Sequence, residues 1–154
     1  MTSDYVAFLI DTNVLVYTLD PRDTAKQDRA TAVLDALIES GEAVLSAQCL
    51  SEFFAASTRR LPEPLTASEA HAGVERFSRV CRVLDVTPAV VLEGCRGVVA
   101  HGMSLWDALI WAAAKLNQIP YVLTEDAEHG RFLEGVRFLN PFRADFALDS
   151  LPPR

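Results

Sequence analysis

The sequence predicts an α/β fold, a three-layer α/β/α sandwich around a central, mainly parallel sheet. Three observations predict it. Short apolar runs alternate with longer segments at helical spacing. The short runs are apolar almost throughout, as strands covered on both faces must be. The length of 154 residues, 50% of them hydrophobic, suits one domain that buries a core of its own.

Element by element, Tyr5 to Ile10 reads as a buried strand. Val14 to Leu19 and then Lys26 to Glu39 read as helix, the second with Ala30, Val33, Leu34, Leu37 and Ile38 as an apolar stripe. Ala43 to Leu45 is a short strand, followed by a helix from about Ala47 to Arg60. Pro62 and Pro64 mark a loop, since neither continues a helix. Thr66 and Glu69 have capping-box spacing and open another helix. Arg82 to Val86 is strand-like. Thr87-Pro88 sets a capping residue before an N1 proline, starting a helix that stops near Gly102. Ser104 opens a helix running to about Asn117, and Pro120 to Thr124 and Val136 to Leu139 are further strands. With no repeat, low-complexity tract or linker, residues 1–146 are expected to form a single domain and 147–154 a frayed tail.

Composition narrows the classes. Leu105 to Ala114, interrupted by Asp107 and ended by Lys115, is far short of the roughly 20 apolar residues of a membrane span. Met1-Thr2-Ser3-Asp4 lacks the positive stretch of a secretory signal. Cys49, Cys81 and Cys95 are odd in number and form no CxxC pair, which argues against a disulfide framework or a zinc site. A reduced, cytoplasmic protein is expected. The net charge of −7 points away from generic nucleic-acid binding. Two facts soften this: of 14 positive charges only Lys26 and Lys115 are lysines, and arginine grips phosphate bidentately. A divalent cation could also neutralise part of the acidic excess. Charge leaves the partner open.

Four acids stand in awkward places. Asp11 directly follows the first strand and Asp126 lies just past the strand that includes Tyr121. In parallel α/β sheets, chemistry collects outside the C-terminal strand ends. Glu52 sits in the apolar stretch after the second strand, and Asp107 is the only ionisable residue in Leu105 to Ala114, a helix that looks buried all round. Buried carboxylates without partners are costly, and several together raise one another's pKa. Hard divalent cations relieve both problems, and a set without His or Cys points to Mg²⁺ or Mn²⁺ rather than zinc.

Each acid also has a plain structural account. Asp107 stands three residues after Ser104, as a capping-box acid would. Asp11 suits an N-cap, Glu52 an exposed helix position and Asp126 a turn. Together, at two strand ends and in two apolar helices, the four favour the metal-binding account.

These acids lie in motifs that resemble a known family. Asp11-Thr-Asn-Val-Leu-Val-Tyr17, Leu45-Ser-Ala-Gln-Cys-Leu-Ser-Glu-Phe-Phe54, Ser104-Leu-Trp-Asp-Ala-Leu-Ile110, Leu123-Thr-Glu-Asp-Ala-Glu-His-Gly130 and Asn140-Pro-Phe142 are similar, in order and spacing, to the motif series of VapC-type PIN domains. The likeness runs from about Tyr5 to Phe142. It implies a three-layer fold with an acidic pocket at the C-terminal edge of the sheet. Carried over by position, Asp11, Glu52, Asp107 and Asp126 are the catalytic and metal-binding acids, with Asn13 and Thr124 supporting them. Asp11 and Asp107 are the first candidates for direct ligands. Glu125 and Glu128 flank Asp126, and Ala127-Glu128 departs from the Leu-Gln of the closest subfamily, so which acid there faces the metal stays open.

The implied activity is an endoribonuclease that uses Mg²⁺ or Mn²⁺ to activate water. The implied partners are RNA, a VapB-type antitoxin and a second copy in a homodimer, with no membrane involved. Arg59-Arg60, or Arg76, Arg79 and Arg82, could hold phosphates, although solvated helix faces are the commoner role. His71, His101 and His129 are expected to be structural or exposed, and Trp106 and Trp111 to be core. Two alternatives stand beside this account. A haloacid-dehalogenase-like phosphatase also begins with an Asp after the first strand, but wants a second Asp where Asn13 stands and a lysine near the site. A non-catalytic PIN-like binding module would be favoured by loss of one of the four acids, and all four are present.

Overall fold

The computed structural model describes residues 6–150. Its strands are β1 (Phe8–Ile10), β2 (Ala43–Ser46), β3 (Arg82–Leu84), β4 (Tyr121–Leu123), β5 (Phe132–Leu133) and β6 (Val136–Leu139). They form one sheet in the order β3-β2-β1-β4-β6-β5, in which only the β5–β6 pairing is antiparallel. Leu9 lies between Val44 of β2 and Val122 of β4. Leu9, Val44 and Val122 are all fully buried, because helices cover both faces.

The helices are α1 (Thr12–Tyr17), α2 (Thr24–Ser40), α3 (Ala47–Ser57), α4 (Ala67–Val80), α5 (Pro88–His101) and α6 (Leu105–Leu116). One layer holds α1 against α2 and α3, and α3 against α4; the other pairs α5 with α6. The chain steps outward from β1 to β2 and β3, then returns to place β4 on the other side of β1. This reversal opens a crevice beyond the C-terminal ends of β1 and β4, where Asp11 and Asp126 lie.

The expected capping signals operate. Thr66 and Glu69 complete a reciprocal capping box, and Thr87 caps α5 ahead of its N1 proline. Gly102 ends α5 in the left-handed conformation, at φ 66°. Ser104 then caps α6 by accepting a hydrogen bond from the Asp107 amide. The α5–α6 contact is close enough to need glycine: a Cβ on Gly97 would lie 2.7 Å from the Trp111 ring. From Ala108 to Ala114 α6 is buried on every side, which fixes how it presents Asp107.

Four expectations need correcting. The antiparallel β5 was not foreseen; it joins β6 through Glu134 and Gly135, both at positive φ, as a two-residue hairpin turn requires. Trp106 is not core but 64% exposed, so burial of α6 begins only after its first turn. The helix expected to reach Arg60 ends at Ser57, and Arg59 and Arg60 continue in turns bonded to the Ala56 carbonyl. The stretch assigned to the tail begins with an ordered 3-10 turn at Leu148–Ser150, with Leu148 packed on the core. Tyr5 and residues 151–154 lie outside the described residues.

Candidate active site

Asp11 leaves β1 and becomes the N-cap of α1, its Oδ1 accepting from the Thr12 amide at 2.7 Å. The capping account of Asp11 is thus correct, and it leaves Oδ2 turned to Thr124, whose hydroxyl donates to it at 2.9 Å. The same Thr124 oxygen accepts from the Asp126 amide at 3.1 Å and from the Asn13 side-chain amide at 3.2 Å. Asn13 Nδ2 also donates to Asp126 Oδ2 at 3.1 Å. Thr124 and Asn13 therefore tie the ends of β1 and β4 together and orient both acids.

Asp107 arrives from the opposite helical layer. Asp11, Asp107 and Asp126 each offer a carboxylate oxygen, and these oxygens all lie within 4.8 Å of one another. Among the described residues none of the three pairs with Lys, Arg or His. The electrostatics follow. Burial pushes Asp11 up to about 6, against the hydrogen bonds from Thr124 and Thr12 and with help from the charges of Glu52 and Asp107. Asp107 is raised as well, by burial first, opposed by Ser104, and then by the nearby Asp126 and Glu52. The donor set is all oxygen, negatively charged and uncompensated, which fits a hard divalent cation.

Glu52 stands beside this trio rather than in it. Its Oε2 accepts from the Thr12 hydroxyl at 2.9 Å and its Oε1 from Gln48 at 2.6 Å. Gln48 also donates to the Trp106 carbonyl at 3.2 Å, linking α3 to the start of α6. All four acids line one groove of about 640 Å³, together with Trp106, Arg22 and Arg60.

The flanking acids sort themselves by partner. Glu125 accepts from the Tyr17 hydroxyl at 2.7 Å and pairs with Lys26 at 2.6 Å, so both its oxygens are engaged away from the trio. Glu128 is exposed and belongs to no cluster of possible metal ligands among the described residues. His129 is structural: its Nδ1 accepts from the Asn140 amide at 2.9 Å. His71 is exposed beside Glu75, and His101 pairs with Glu134. Arg76, Arg79 and Arg82 line neither this groove nor a smaller cavity on the far side of the acids.

Thr12, Gln48, Arg22 and Arg131 were not singled out from the sequence. Gln48 had a usable signal, since it stands one helical turn before Glu52 and so on the same face. The others depend on tertiary placement. Arg22 grips the buried Asp20 in a two-pronged pair at 2.9–3.3 Å, which holds Asp20 below the usual carboxylate range.

A mostly parallel α/β sheet with paired helical layers and an acidic crevice at its switch point defines a class that the comparisons identify. The PIN-domain model matches residues 8–133, and the chain belongs to the PIN-domain family, a family of nucleases. It is similar in structure to FitAB bound to an IR36 DNA fragment, with 26% identity and a TM-score of 0.67 over 90% of this chain and 98% of that one. It is also similar to a toxin–antitoxin complex from Klebsiella pneumoniae, at 16% identity and a TM-score of 0.65 over 88% and 98% of the two chains. A third neighbour is VapC20 of Mycobacterium tuberculosis, a toxin that cleaves the sarcin-ricin loop, at 23% identity and a TM-score of 0.62 over 85% and 99%. Comparison by sequence with curated proteins gives no match. The likeness to VapC-type PIN domains read from the motifs is borne out. The phosphatase alternative also lacks its groups here: Asn13 is an amide bonded to Thr124 and Asp126, and Lys26 and Lys115 are held by Glu125 and by Glu93 with Glu134. No helix among the described residues is long and apolar enough to cross a membrane.

Proposed function

We propose that this chain is an Mg²⁺- or Mn²⁺-dependent endoribonuclease, the toxin of a VapBC-type pair. The observation that carries this reading is the convergence of Asp11, Asp107 and Asp126 within 4.8 Å, with no Lys, Arg or His paired to any of them among the described residues. Asp11, Asp107 and Asp126 would hold the ion. When bound, the ion offsets charge on the scissile phosphate and lowers the pKa of water. Thr124 and Asn13 keep the two strand-end carboxylates aimed into the crevice before any ion arrives. Glu52, oriented by Thr12 and Gln48, receives the proton of the attacking water at one of its carboxylate oxygens. Water adds to phosphorus in line, the bond from phosphorus to O3′ breaks, and O3′ takes a proton from solvent in the open groove while Glu52 returns its own to solvent. A 5′-phosphate and a 3′-hydroxyl result.

RNA is favoured over other phosphodiesters because VapC20, a structural neighbour of similar size, is a toxin that cleaves the sarcin-ricin loop. Neighbours that are toxin–antitoxin complexes bound to DNA favour a VapB-type antitoxin as partner. A homodimer is the assembly that the resemblance to VapC-type PIN domains implies. A cytoplasmic location fits such a partner. Asp107→Asn should remove metal-dependent cleavage of end-labelled RNA while leaving the fold intact by circular dichroism. Unchanged cleavage would rule out this assignment.

A further inference from the structure

The three acids line two cavities. On one side is the wide groove with Trp106, Arg22 and Arg60. On the other is a smaller cavity of about 200 Å³, walled by Met103, Ser104, Ile110, Arg131 and Phe138. Asp11, Asp107 and Asp126 belong to both, so they form the waist between them.

Each side carries one arginine without a carboxylate partner among the described residues, Arg60 in the groove and Arg131 in the cavity. Other cations nearby are spoken for: Arg22 by Asp20, Lys26 by Glu125, and Arg96 and Lys115 by Glu93 and Glu134. Arg131 is held in place without being neutralised. Its guanidinium donates to the His101 carbonyl at 3.3 Å. Its amide donates to the Glu128 carbonyl at 3.1 Å, and its own carbonyl accepts from the Phe138 amide at 2.9 Å.

We propose that the RNA strand crosses the waist from groove to cavity, Arg60 holding a phosphate on the wide side and Arg131 the phosphate beyond the scissile one. The proposal rests on the nuclease reading above and adds the substrate path. An endonuclease must hold the chain on both sides of the cut. The acids that favour a cation at the scissile phosphate repel its neighbours on either side. A guanidinium on each side, that of Arg131 fixed by the His101 carbonyl, offsets that repulsion and donates to phosphate. The exposed indole of Trp106 supplies a stacking face for a base in the wider groove.

The test is binding of a short fluorescein-labelled RNA, with Ca²⁺ replacing Mg²⁺, over a salt series. Each phosphate contact to a single strand contributes about 0.7 to the slope of log K against log salt. Arg131→Gln and Arg60→Gln should each lower the slope by about that amount and weaken binding about tenfold. Arg131→Lys should keep the slope, and Arg76→Gln with Arg79→Gln on α4 should leave both quantities unchanged. RNAs with one methylphosphonate linkage each then locate the contacts. The neutral linkage that no longer affects Arg131→Gln should lie on the opposite side of the cleavage site from the one for Arg60→Gln. A wild-type slope in folded Arg131→Gln, with Arg60→Gln impaired, would overturn the proposal and leave the nuclease reading standing. Failure of the wild-type chain to bind RNA with any metal would overturn both.

Discussion

Thr124 donates its hydroxyl to Asp11 across 113 positions of sequence, at 2.9 Å, and so joins the ends of the two central strands. Thr124→Val removes that donor and the acceptor used by Asn13 and the Asp126 amide, with little change in volume. The expected cost is about 1–3 kcal/mol of stability, and about 10–100-fold in metal affinity. Thermal melts with titrated Mn²⁺ check it, and Thr124→Ser should recover most of the affinity. Wild-type metal affinity in Thr124→Val would remove Thr124 from the supporting role.

Among the acids around β4's end, geometry separates Asp126 from Glu125. Asp126→Asn should abolish metal-dependent cleavage. Glu125→Gln breaks a partly exposed pair with Lys26, so it should cost under about 1 kcal/mol and leave cleavage within a few-fold. The reverse ranking in a cleavage assay would reassign the fourth acid.

Stability of the metal-free chain should carry the mark of Asp11. Its pKa rises from 3.8 to about 6 on folding. As pH climbs through that window the unfolded chain loses the proton while the native state keeps it. The native state then binds more protons, so this contribution to stability falls with rising pH and is fully lost above about 6. Asp11→Asn removes the effect. In EDTA, the variant should therefore gain about 1–3 kcal/mol on wild type between about pH 4 and about pH 7.5. Denaturant unfolding at the two pH values measures the gain, and a difference between the proteins that does not change with pH would contradict the burial argument.

Gly97→Ala tests how α6 is held. The added methyl meets the Trp111 ring at 2.7 Å, and Trp111 is fully buried with its Nε1 donating to the Leu133 carbonyl. A loss of about 1–3 kcal/mol is expected from overpacking. An unchanged melting temperature would mean that the two helices can separate freely.

The fold was legible because parallel strands covered on both faces leave short apolar runs, as in Phe8–Ile10 and Tyr121–Leu123, and because Thr66, Thr87 and Ser104 cap where capping chemistry predicts. The two-residue β5 is too short for a periodic signal, and its turn uses Glu134 at φ 47° where hairpin turns favour Asn, Asp or Gly. The acids themselves were readable from their positions at strand ends and in apolar helices. Their division into a trio with Glu52 apart was not, because it depends on Gln48 and Thr12 turning Glu52 aside. Trp106 was misplaced because its neighbours in sequence are apolar, while α6 starts at the rim of the groove.

Cleavage of RNA at the acid trio is tested directly by one measurement. The purified chain is incubated with total RNA in Mg²⁺, Mn²⁺ or EDTA beside Asp11→Asn, and new 5′ ends are mapped by sequencing. Discrete 5′-phosphate ends that require metal and vanish in the variant are the predicted result. No new ends with either metal, or the same ends from Asp11→Asn, would contradict it.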